Sequence, residues 1–115
     1  MSEVTIFEKI MAGQIPSQKV FEDEHVFAFR DINPQAPVHV LVIPKKKVAR
    51  LEAYKSADPV EAGSFLTRVA KVAAELGLEK RGYRVVINNG QDGQQSVEYL
   101  HAHILGGRQL SWPPG

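Results

Sequence analysis

The sequence contains no cysteine, which excludes disulfides, thiolate zinc sites, iron–sulfur clusters and cysteine nucleophiles together and fits a reducing compartment. It also has little excess of charge. Fourteen Lys+Arg against 13 Asp+Glu leave no global field for holding nucleic acid or an anionic membrane, so neither is expected as a partner. No apolar run approaches the roughly 18 residues that span a bilayer, and Met1-Ser2-Glu3 is not basic as a secretory leader would be. A cytoplasmic protein is the expectation. Without repeat or linker, the 115 residues, 43% of them hydrophobic, are expected to fold as one domain, 1–115, whose core needs no metal or disulfide staple.

What is present reads as short helix and strand signals in turn. Thr5-Ile6-Phe7-Glu8 has capping-box spacing and Gly13 is a stop, predicting a short helix from about Ile6 to Ala12 with Ile6, Phe7 and Ile10 inward. Lys19 to Glu22 and His25 to Arg30, parted by Asp23-Glu24, predict a hairpin. On its second strand Phe27 and Phe29 share a face that Asp31 continues, and His25 reads as an exposed bystander. Beyond the loop Asn33-Pro34-Gln35-Ala36-Pro37, the strand Val38 to Ile43 puts His39, Leu41 and Ile43 on one face. Lys45-Lys46-Lys47 reads as a solvated turn, and Val48 to Ser56 has room for a turn of helix.

Asp58-Pro59-Val60-Glu61 opens the main helix and Gly77 closes it, with Ala62, Phe65, Leu66, Val69, Val72, Ala73 and Leu76 as a stripe that packs on a sheet. A fourth strand, Tyr83 to Asn89, puts Val86 and Asn88 on one face, and a glycine-punctuated loop leads to its expected antiparallel neighbour, Glu98 to Leu105. The sum is an α+β domain with a five-stranded antiparallel sheet, one long helix and one short one. The tail Ser111-Trp112-Pro113-Pro114-Gly115 cannot extend the sheet.

The last strand carries the chemistry. Side chains alternate along it, so Tyr99, His101, His103 and Leu105 share one face and Leu100, Ala102 and Ile104 the other. Two imidazoles with Cα atoms roughly 7 Å apart can touch one small anion or one metal ion. With Asp31, His39 and Asn88 among Phe29 and Leu41, they form a candidate small-molecule site, though a half-exposed sheet face would show the same pattern. Asp31 suits a ribose diol, Ser96 and the loop amides suit phosphate, and an imidazole can act as nucleophile at phosphorus or as general acid.

The run from Gln95 to Gln109, with His101-Ala102-His103-Ile104-Leu105 at its centre, resembles the signature of the histidine-triad (HIT) family, in which histidines alternate with apolar residues. It is most similar to the Hint branch of nucleoside phosphoramidate hydrolases, and Ile6 to Ile10, Phe29 to Ile32 with Pro34 to Pro37, His39 to Lys46, Asn88 with Gly90, and Trp112 to Gly115 share the likeness. The resemblance implies His101 as nucleophile, with His103 and Ser96 on the phosphate and Asp31 on the ribose. It implies Ile6, Phe7, Ile10, Phe29, Ile32 and Leu41 around a purine and Asn88, Gln95 and Val97 near ribose and phosphate, with His39 and Tyr99 supporting the histidines. It further implies a homodimer whose sheet continues across the interface, Trp112 near the partner's site, and neither cofactor nor resident metal. Two positions depart from the family pattern: Tyr99 replaces the first histidine, and Gln94 replaces a glycine.

Three alternatives remain beside a phosphoramidase: a purine-nucleotide-binding protein without turnover, a dinucleoside polyphosphate hydrolase, and a metal-binding module built on His39, His101 and His103. The physiological leaving group is not readable from these residues.

Overall fold

A computed structural model of the chain describes residues 3–115; Met1 and Ser2 of the non-basic start lie outside the described residues. Helix α1 (Ile6–Met11) leads to β1 (Lys19–Glu22), β2 (Val26–Arg30) and β3 (Val38–Pro44). A 3₁₀ turn (Leu51–Ser56), helix α2 (Pro59–Glu75), β4 (Arg84–Ile87) and β5 (Ala102–Gly106) follow. The strands form one five-stranded sheet in the order β1-β2-β3-β5-β4, with every neighbouring pair antiparallel.

The capping signals act as read. The Thr5 hydroxyl accepts from the Glu8 N–H and the Glu8 carboxylate accepts from the Thr5 N–H, satisfying two of the amides a helix start leaves unpaired. The Asp58 carboxylate accepts from Val60 N–H ahead of Pro59, and Gly77 ends α2 at φ 76°, a backbone that a Cβ would strain. Asp23 turns the hairpin by accepting from the His25 and Val26 amides.

The sheet separates two cores. On one face Phe65, Val69, Val72 and Ala73 of α2 pack on Val26, Ala28, Val40, Val42, Leu100, Ala102 and Ile104. On the other, Phe7 of α1 joins Phe27, Phe29, Leu41, Ile43 and Tyr99. This is the period of two read along β2, β3 and the histidine segment.

Three expectations are corrected. The last strand begins at Ala102 and not Glu98, because Leu100 N–H donates to the Val48 carbonyl and Tyr99 N–H to Val97, which takes these amides out of the ladder. β2 and β4 are likewise shorter, at Val26–Arg30 and Arg84–Ile87. Leu66 and Ile6, read as inward, are 58% and 47% exposed, each lying at the edge of its helix's apolar stripe. Lys45, Lys46 and Lys47 are exposed at the bend after β3, as expected, and they pair with Glu22, Glu61 and Glu8 of β1, α2 and α1. His25 is exposed, as expected.

Candidate active site

The register places the site. Phe29 faces Leu41, Leu41 faces His103 and His103 faces Val86, so a row across four strands lies on the α1 side of the sheet. His101, just ahead of β5, keeps the same face: its ring lies 5.1 Å from that of His103 and 4.9 Å from Phe7, which meets it edge on. His39 is one step further along β3, opposite Leu105.

Hydrogen bonds fix which ring nitrogens carry protons. The Gln35 main-chain N–H points to His39 Nδ1 at 3.0 Å; an amide can only donate, so Nδ1 holds a lone pair and the His39 proton sits on Nε2. His39 Nε2 lies 2.9 Å from His103 Nδ1 and therefore donates to it, leaving the His103 proton on Nε2. His101 Nδ1 lies 2.7 Å from the Tyr99 carbonyl, an acceptor only, so Nδ1 carries the proton and Nε2 the lone pair. Only 3% of His101 is exposed. Its Nε2 has no protein partner, yet no fully buried side-chain nitrogen or oxygen among the described residues lacks one, so Nε2 opens to solvent.

Burial keeps these rings neutral. It lowers His101, against the raising pull of the Tyr99 carbonyl and Asp31, and lowers His39 against Asp31. His103 is brought down to about 4, by burial first and then by the neighbouring His101 and His39. Near pH 7 the group is thus one free lone pair on His101 beside one free N–H on His103.

Asp31 is half-buried, with Oδ1 accepting from the Asn33 amide at 2.8 Å and Oδ2 3.5 Å from His39 Nε2. It shares an open cleft of about 550 Å³ with Ile32, His39 and the unforeseen Pro16, Ser17 and Gln18. Ser96, exposed, lines another of about 780 Å³ with Ile6, Val97 and Lys47. His101 and His103 line neither cleft.

The apolar set is not gathered into one pocket. Phe7, Phe29 and Leu41 are buried in the core with Ile10 packed against them, whereas Ile32 is 95% exposed. Asn88 and Gln95 brace the loop: Asn88 donates to the Gly93 carbonyl at 2.7 Å, and the Gln95 amide bonds Gly90, Ala49 and Val97, all at 2.9 Å. Gln94 sits at φ 64°. Tyr99 is fully buried, and its hydroxyl donates to the Pro44 carbonyl. Gln35 was missed, because a main-chain amide leaves no mark in a side-chain pattern.

Comparison with known proteins decides the family. The HIT domain pattern matches residues 12–110. This chain belongs to the HIT domain family. A 14 kDa zinc-binding protein of Zea mays is 56% identical over 113 residues, which cover 96% of this HIT chain and 88% of the maize protein. A HIT family hydrolase from Legionella pneumophila superposes with TM-score 0.89 at 47% identity, covering 96% and 98% of the two chains. A histidine triad nucleotide-binding protein from Candida albicans superposes with TM-score 0.78 at 33% identity, covering 97% and 85%. The five-stranded α+β fold of this chain is that of its HIT neighbours.

Proposed function

We propose that this HIT protein is a hydrolase of the Hint branch, cleaving purine nucleoside phosphoramidates to nucleoside monophosphate and amine. The observation that carries the reading is the tautomer of His101: Nδ1–H held by the Tyr99 carbonyl and Nε2 free at the surface. A neutral imidazole so held is a nucleophile without further activation. Nε2 attacks the α-phosphorus, the P–N bond breaks, and water then attacks the nucleotidyl-histidine. The amine takes a proton from solvent as the P–N bond breaks, and the water that attacks next leaves its hydroxyl on phosphorus and returns one proton to solvent, so the proton count closes over the cycle. His103 Nε2–H and the Ser96 hydroxyl are suited to donate to the phosphate oxygens, where charge builds up. Asp31 holds the ribose, and Ile32 and Ile6 supply exposed apolar surface for the base. No cofactor enters this chemistry.

The same reading includes a homodimer. β4 is a sheet edge and exposes Val85 and, in the tail, Trp112; an unpaired edge is a template for a second copy. Turnover of an adenosine phosphoramidate beside a diadenosine polyphosphate is the test. Release of adenosine monophosphate from the first supports the reading, and exclusive cleavage of the second replaces it with the polyphosphate hydrolase.

One observation favours a second reading. Donor atoms of Asp31, His39 and His103 all lie within 4.8 Å of one another, which is a nitrogen and carboxylate set suited to zinc, and the maize relative is named for zinc binding. The set differs from the histidines-only trio expected of a metal module. A metal here would have to replace the bond between His39 and His103. Zinc titration that abolishes nucleotide binding would favour this reading.

A further inference from the structure

Where β5 runs out at Gly106, the loop after α2 and the start of β4 enclose a separate cleft of about 370 Å³. Arg81, Arg84 and Arg108 line it and no carboxylate does. These are three of the chain's six arginines. Elsewhere Arg50 and Arg68 sit in ion pairs with Glu98 and Asp23, but none of these three pairs with an acid among the described residues. Arg84 donates to the Ser111 carbonyl at 2.8 Å, and Arg108 to the Gln35 and Gln109 carbonyls at 3.1 Å. Arg84 also lies 6.0 Å from the Trp112 ring centroid. None of these partners carries a formal negative charge, so the lining brings three cationic side chains together with no acid paired to them.

We infer that this cleft binds a multivalent oxyanion of the phosphate class, such as pyrophosphate, apart from the histidine site. A single carboxylate would leave most of the positive charge unmatched, whereas the flat guanidinium fork pairs with phosphate oxygens two at a time. The volume is near the lower bound for ligand sites, which suits a phosphate group better than a whole nucleotide. None of Asp31, His39, His101 and His103 lines the cleft, so occupancy here does not depend on the phosphoramidase reading.

The test is calorimetric titration of the full chain with inorganic pyrophosphate at low ionic strength. Wild type should show saturable binding that weakens as salt rises. Arg81→Ala should weaken it at least fivefold, and Arg81→Ala with Arg108→Ala should weaken it further, while His101→Asn keeps it. Arg81 is exposed and donates to no described group, so its removal leaves the fold intact, which an unchanged Tm checks. Inorganic phosphate, with less charge, should bind more weakly than pyrophosphate. Binding lost in His101→Asn but unaltered in Arg81→Ala would put the anion at the histidines and overturn the inference. Absence of saturable binding at millimolar pyrophosphate would overturn it too.

Discussion

The Gln35 amide and His39 Nδ1, 3.0 Å apart, set the protonation of the histidine group from outside it. Because Gln35 takes the Nδ1 lone pair, His39 presents Nε2–H to His103, which must then present Nε2–H outward. One main-chain donor in a loop thereby fixes the proton positions of His39 and His103, while the Tyr99 carbonyl fixes that of His101.

His39→Asn breaks this order while keeping a polar side chain. The expected outcome is a fall of about 10- to 100-fold in kcat, the range for losing a partner that orients an active ligand, with KM changed little. The pH–rate profile should broaden as His103 gains freedom between tautomers. An unchanged kcat and profile would show that His103 is oriented without His39.

Gln94→Gly tests the loop between β4 and β5. Gln94 holds a left-handed φ of 64° with its side chain exposed, a conformation costing an L-residue roughly 1–2 kcal/mol. Glycine relieves that cost, less its own greater unfolded-chain entropy. Tm should rise by a few degrees with turnover equal or higher. A lower Tm would mean that the Gln94 side chain stabilises the loop by a contact absent from the structure.

How far the sequence foretells this site depends on which forces are local. The caps at Thr5 and Asp58 were legible because both partners lie within three residues, and the two faces of the last strand because alternation is a property of the strand itself. The true start of β5 was not, since it depends on Val48, distant in sequence, taking the Leu100 amide. Ile32 and Phe29 look alike as apolar letters, yet one is on the surface and the other in the core; only tertiary packing separates them. The trio whose donor atoms gather closely enough for a metal includes Asp31 in place of His101 for the same reason, because loop 31–37 folds back on β3.

Acid should destabilise the protein in two stages. His39, His101 and His103 have folded pKa values below their usual 6.5. The unfolded chain therefore binds more protons through this window and stability rises with pH. The contribution is complete above about pH 7 and is lost as pH falls through about 6.5 towards the folded value near 4 for His103. Carboxylates add their loss lower down, because Glu8, Glu22 and Glu52 are held below the usual range, chiefly by hydrogen bonds to Lys47, Lys45 and Asn89. Melting curves of wild type and His103→Gln between pH 7 and 5 separate the stages, with the variant's Tm falling less. Parallel curves would contradict a depressed His103.

Asp31→Asn should weaken adenosine monophosphate far more than its 2′,3′-dideoxy form. Hydrogen bonds to an ionised acceptor contribute about 1.5–3 kcal/mol, so a loss of tenfold or more is expected for the ribose alone. The asparagine oxygen can still accept from the Asn33 amide, which preserves the turn. Equal losses for both sugars would remove Asp31 from the ribose.

Tyr99 distinguishes a working catalyst from a disabled one. Its hydroxyl is buried, donates to Pro44 and has a pKa pushed up to about 12, by burial first and then by Glu8 and Tyr54, so it neither reaches phosphate nor relays a proton near pH 7. What His101 uses is the Tyr99 carbonyl, which any residue supplies. Tyr99→Phe should therefore cost stability, about 1 kcal/mol for the lost bond to Pro44, while kcat stays within about tenfold. Tyr99→His should also change kcat/KM by less than about tenfold, a barrier change of roughly 1.4 kcal/mol. A gain of several hundredfold in the histidine variant would instead show that the phenol holds the site in a poorly active arrangement, and the nucleotide-binding role without turnover would then be the better account of this HIT protein.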